Sequence, residues 1–242
     1  MSCLIIFFHC DYNHLPSNLK KLSCVTKLVN ELKAFKIIFN MNHSIINKSE
    51  EFVKKILSER CPTHYKYHNY YHVQKVVEAA IQISNHENVS DEEKEIIILA
   101  CLFHDIGYID LCEGHEEVSC SYAKEFLTKE NYPENKIQQI SSCILATKIP
   151  QQPKNKLEMI VCDADLHHLG SEDFLEIGNN LRSEIEISHK KHFTDLEWLE
   201  ITIRFNKSHS YFTGYAIRNY GVRKELNIKE LEKLFENAYL SK

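Results

Sequence analysis

Three short stretches carry residue types that hold metal ions. The first is Tyr65-Lys-Tyr-His68-Asn69-Tyr-Tyr-His72, where two histidines four apart project from one face if a single helix includes both. The second is Ile96-Ile-Ile-Leu-Ala-Cys-Leu-Phe-His104-Asp105-Ile-Gly107, an apolar run ending on adjacent imidazole and carboxylate. Burying such a run carries its last turn into the core, where an ionised Asp beside a neutral His is costly without a cation or a salt-bridged network. The third is Leu157-Glu-Met-Ile-Val-Cys-Asp163-Ala-Asp165-Leu-His167-His168-Leu-Gly170. Carboxylates two apart lie roughly 200° around a helix, so only one of Asp163 and Asp165 looks inward with the apolar face. Imidazole and carboxylate together suit a divalent ion of intermediate hardness such as Mn, Zn, Fe, Co or Ni, with Mg where water dominates the shell.

Taken in order as His, then His-Asp, then a distant Asp, these segments resemble the HD superfamily of metal-dependent phosphohydrolases. The resemblance runs from about Asn47 to the C-terminus and includes HDIGY, HEEVS and IVCDADLHHLG. It implies an all-α, HD-domain-like helical bundle around a central metal site, with His72, His104, Asp105 and Asp165 as ligands of a divalent ion. Asp165 is preferred to Asp163 because the family's last ligand commonly follows a small residue in an Ala-Asp step. The HNYYH stretch is also similar to the HNxxH segment of cyclic-nucleotide phosphodiesterases, which makes His68 the candidate general acid. Asp105 then has two roles, as ligand and as orienter of the attacking water. His115 stands where two-metal HD proteins place an additional ligand, while the further His expected near Ala146-Thr147 is missing.

The implied activity is hydrolysis of a phosphoester, of a nucleotide or related small molecule, by metal-activated water. Tyr65, Tyr67, Tyr70 and Tyr71 are candidates to stack a nucleobase. Lys75, Arg182, Arg204, Lys207 and Arg218 are candidates for phosphate, although such residues are more often solvated surface charges. Glu116, Glu117 and His209 are further candidates to line the pocket. Two rival readings are a non-catalytic metal- or nucleotide-binding HD regulatory module and a di-iron HD-type oxygenase, the latter disfavoured by the missing His near Thr147.

Helices must position these groups. Apolar periodicity predicts them near 48–60, 69–86, 91–106, 115–130, 134–148, 154–169, 172–188, 195–209 and 228–240. Asn47, Ser90 and Thr194 each stand three residues before a Glu, the spacing of a helix start. Residues 1–40 read as an N-terminal extension with apolar bursts at Leu4–Phe8 and Phe35–Phe39, and 41–242 as the phosphohydrolase domain.

Composition narrows the class. Only 6 Gly and 5 Pro in 242 residues disfavour a many-stranded sandwich, and the length suits one core. A net charge of -5 supplies no basic face for duplex nucleic acid, so a small substrate is expected. Nine cysteines, an odd number with no CxxC pair, suggest neither a disulfide framework nor a ribbon-type zinc site. The expected location is therefore cytoplasmic, with no membrane span; oligomeric state is not legible.

Overall fold

The computed structural model describes residues 43–240, so the expectation for residues 1–40 lies outside the described residues. The described chain consists of α1 (His43–Arg60), α2 (Tyr70–Ser84), α3 (Asp91–Phe103), α4 (His115–Lys129), α5 (Glu134–Ala146), α6 (Lys156–Asp165), α7 (Phe174–Ser188), α8 (Asp195–Ser208), α9 (Gly214–Asn219) and α10 (Gly221–Leu240). Short 3-10 turns at Ile106–Ile109 and His167–Gly170 follow α3 and α6. No strand occurs among the described residues, and the architecture is the all-α one expected.

The bundle is built around α3. Ile96 through Phe103 are buried without interruption, and the helix packs against α1, α2, α5 and α6. Each large aliphatic or aromatic side chain so buried contributes roughly 1.5–3 kcal/mol. Together they outweigh the several kcal/mol that a desolvated charge costs, which is how α3 carries His104 and Asp105 inward. Its start is fixed by a reciprocal cap: the Ser90 hydroxyl accepts from the Glu93 N–H and the Glu93 carboxylate accepts from the Ser90 N–H. Thr194 and Glu197 repeat this at α8.

Several boundaries differ from the sequence reading. Asn47 does not start a helix, because α1 already runs from His43. Ile46, Ser49, Val53 and Leu57 are buried at helical spacing, so the buried stripe begins upstream of the cap-like residues and overrides them. The segments expected at 91–106 and 154–169 each end earlier and tighten into a 3-10 turn. At the start of α6, Asn155 is the cap, accepting from the Glu158 N–H. The C-terminal helix begins at Gly221 rather than 228. The six-residue α9, capped by Thr213, is too short to announce itself by periodicity.

Gly107 sets the distance between α3 and α4. A Cβ there would lie 2.3 Å from the His115 carbonyl oxygen and 2.7 Å from the Ser119 nitrogen, so α4 crosses the first 3-10 turn this closely only over glycine. The Gly107 N–H donates to Ser119 Oγ at 2.9 Å. At the other end, Leu166, Leu169, Phe174 and Leu231 form a second apolar cluster that joins the turn after α6 to α7 and α10. No helix among the described residues is long and apolar enough to cross a membrane.

Candidate metal centre

Three helices deliver four side chains to a common point. His72 sits in the first turn of α2, whose cap Asn69 accepts from the N–H groups of Tyr71 and His72 at 2.9 and 3.2 Å. His104 and Asp105 close α3, and Asp165 closes α6. One donor atom from each of the four lies within 4.8 Å of every other, and all four residues are buried. His104 Nε2 stands 3.0 Å from Asp105 Oδ2 and 3.5 Å from Asp165 Oδ1. His72 Nε2 stands 3.3 and 3.5 Å from the same two oxygens.

These separations fit a metal ion. Ligands at about 2.1 Å from a tetrahedral ion lie about 3.4 Å apart. Although close, neither Nε2 makes a well-formed hydrogen bond; the donors converge on a point instead of pairing. The histidine tautomer suits this, since His104 Nδ1 lies 2.8 Å from the Cys101 carbonyl and, by donating to it, leaves the Nε2 lone pair toward the cluster. Burial by itself would push the imidazoles down and the carboxyls up. Their mutual attraction wins, holding His104 well above and Asp105 well below the ordinary values, His72 raised and Asp165 lowered. The cluster demands positive charge at its centre, and two imidazoles with two carboxylates suit a divalent ion.

Asp163 takes no part. It accepts from the N–H groups of Phe212 and Thr213, the latter at 2.7 Å, and so anchors the segment before α9; burial pushes its carboxyl up to about 6. The half-turn offset between the two acids separates a structural carboxylate from the one in the cluster.

Residues 69–170 match the family model described as HD domain. That HD-domain match spans α2 to α6 and the 3-10 turn after α6. The matched stretch contains His72, His104, Asp105 and Asp165, and ends before α7. No curated protein matches the sequence.

Around the HD-domain cluster, the structure sorts the other candidates. His115 Nε2 lies 3.4 Å from Asp105 Oδ1, the oxygen turned away from His72 and His104. Thr147 occupies the expected position of the missing His, its hydroxyl donating to the Ile144 carbonyl. Glu116 is buried with Oε2 unpartnered, whereas exposed Glu117 pairs with Lys148 at 2.8 Å. His68 precedes the α2 cap, so the one-helix-face argument does not apply to it and His72; the two rings nevertheless approach to 6.3 Å between centroids. His68 stacks on Tyr108 at 3.6 Å.

The sequence reading missed Glu184. Fully buried on α7, it faces His68 Nδ1 with Oε1 and accepts from the N–H groups of Tyr67 and His68 through Oε2 at 2.9 and 3.0 Å. The available signal was its place on the apolar face of α7, beside Leu181 and Ile185.

A cavity of about 300 Å³ opens beside the cluster, lined by Asp105, Asp165, His68, His115, Glu116 and His168 on one side. Burial pushes the His168 imidazole down to about 3, so it faces the cavity neutral. Of the four tyrosines expected to stack a base, only Tyr67 lines the cavity: Tyr70 donates to Glu50 and Tyr71 is exposed. Nor does any of the five candidate phosphate-binding cations. Lys75 pairs with Glu78, Arg182 with Glu186 and Asp195, and Lys207 with Glu232, while Arg204 and Arg218 lie on the surface.

Proposed function

We propose that the protein is a metal-dependent phosphohydrolase acting on a small phosphoester, with His72, His104, Asp105 and Asp165 as metal ligands. The observation that carries this reading is the convergence of those four buried donors at ligand spacing, with Asp105 and Asp165 lining the adjoining cavity. A divalent ion held there supplies Lewis acidity, making water a nucleophile near neutral pH and screening phosphate charge.

The chain's own residues divide the remaining work. Asp105 turns one oxygen toward the cluster and the other toward His115, so it can orient a water between them. Hydrolysis forms a bond from that water's oxygen to phosphorus, breaks the bond from phosphorus to the ester oxygen, and leaves that oxygen needing a proton. His68, whose Nδ1 is held by Glu184, is placed to supply it, a general-acid role suited to imidazole near neutral pH.

The test is turnover by metal-reconstituted protein on a panel of phosphomonoesters, cyclic nucleotides and nucleoside mono- and triphosphates, repeated with His68→Ala and His72→Ala. His68→Ala should retain metal and lose roughly 10²–10⁴ in kcat, while His72→Ala should lose metal and turnover together. Absence of turnover on every class, with metal bound, would refute the reading.

A further inference from the structure

The wall of the cavity opposite the metal cluster belongs to α7 and α8, beyond the stretch that matches the HD-domain model. Ile177, Leu181 and Ile185 present one face of α7, and Trp198, Ile201 and Phe205 one face of α8. Apolar side chains on two such helices ordinarily close on each other to exclude water. Here they border open space.

Two details mark that space as built for a ligand. Gly178 lies mid-helix in α7 on the cavity wall, where glycine costs about 1 kcal/mol relative to alanine, yet a Cβ added to it would meet nothing within 4 Å. Backbone crowding does not require the glycine, so what its missing side chain provides is volume in the cavity. Asn206 is 1 % exposed and lines the same cavity. Its Nδ2 donates to the Thr202 carbonyl at 2.9 Å, while Oδ1 has no partner. A buried amide oxygen left unpaired is costly, and a ligand hydroxyl or N–H would satisfy it.

Charge gives the other half. Among the described residues no Lys or Arg lines the cavity, whereas Asp105, Glu116 and Asp165 do. A cation at the cluster can offset one phosphoryl group, but beyond the His68 and His115 imidazoles beside that cluster the lining offers no positive charge for a second or third.

We infer that the cavity takes the uncharged, largely apolar organic group of a ligand bearing a single phosphoryl group, with Asn206 Oδ1 receiving one donor of that group. This rests on the phosphohydrolase reading only for the placement of the phosphoryl group at the metal cluster. Nucleoside di- and triphosphates are disfavoured by charge. Selectivity arises in α7 and α8, while the chemistry belongs to the helices before them.

The sequence contains a single Trp, and it is Trp198 in the cavity wall, so intrinsic fluorescence reports occupancy without turnover. Metal-loaded full-length protein should be titrated with ethyl, hexyl and octyl phosphate below their micellar range, and with ATP. A saturable change in Trp198 emission is expected for hexyl and octyl phosphate, with affinity rising roughly two- to fourfold per methylene, and none for ATP at the same concentration. Gly178→Leu should retain metal content and thermal midpoint while abolishing the chain-length dependence; Gly178→Ala, which keeps most of the volume, should preserve it. No Trp198 response to octyl phosphate, or ATP bound as tightly as octyl phosphate, would overturn the inference. Octyl phosphate bound with the predicted length dependence but hydrolysed by none of the metal-loaded preparations would support the cavity assignment and refute the phosphohydrolase reading instead.

Discussion

Glu184 grips His68 from two sides: one carboxylate oxygen faces the ring Nδ1 and the other accepts from the backbone N–H of the same residue. With the Tyr108 ring stacked on its face, the imidazole has little freedom to rotate. A carboxylate so placed fixes which nitrogen carries the proton and leaves the other for chemistry. Glu184→Gln keeps the volume and an acceptor for the backbone but removes the charge. It should lower kcat at least tenfold while metal content stays at the wild-type level, and the same substitution made in the His68→Ala background should add little. Additive losses in the double variant would show that Glu184 acts elsewhere.

Metal removal should destabilise the fold. Four buried donors from three helices meet at one point, so a bound ion ties α2, α3 and α6 together, and a ligand that binds only the folded state stabilises it by mass action. Exhaustive chelation should lower the thermal midpoint, and one equivalent of a transition metal should restore it. Asp105→Ala should bind no metal by elemental analysis and show no response to added ion. An unchanged midpoint after verified metal removal would contradict the assignment.

Gly107→Ala tests the crossing of α4 over the turn after α3. The added methyl would meet backbone atoms of His115 and Ser119, not a yielding side chain, so α4 must shift, at a cost of roughly 1–3 kcal/mol or more. Because the displaced residue is His115, whose ring faces Asp105 Oδ1, activity should fall further than stability predicts. Unfolding midpoints compared with kcat/KM across a series of destabilised control variants would separate the two effects. A Gly107→Ala protein on the same line as the controls would show that His115 has no special place in the reaction.

The cluster was legible because the sequence contains a physical contradiction there: α3 is too apolar to stay at the surface, and His104-Asp105 too polar to enter without company. Glu184 and the cavity were not legible, for a related reason. Ile201 and Phe205 stand four apart on one face of α8, and periodicity reports that such a face is covered without distinguishing protein from ligand as the cover. Glu184 carries no local sign of its partners, because the backbone of Tyr67 and His68 lies 117 and 116 positions away in sequence. Lys75 and Arg182 illustrate the converse: each is close to the bundle, but each is paired with a carboxylate outside the cavity.

Residues 41–242 should suffice for the metal site. The four clustered donors fall between positions 72 and 165, and α1 begins at His43 with a buried stripe that meets α3 within the bundle. Expressed alone, this segment should keep the full chain's metal content, with a thermal midpoint within the few degrees that about 1 kcal/mol represents for a domain of this size. The opposite result has a definite physical source. Leu4–Phe8 and Phe35–Phe39 are strongly apolar, and any of that surface buried against the bundle would contribute roughly 25 cal/mol per Å². Its loss would lower the midpoint and expose a matching patch. Aggregation of the shortened protein with a large fall in midpoint would therefore place the N-terminal segment within the folding unit and move the domain boundary upstream of residue 41.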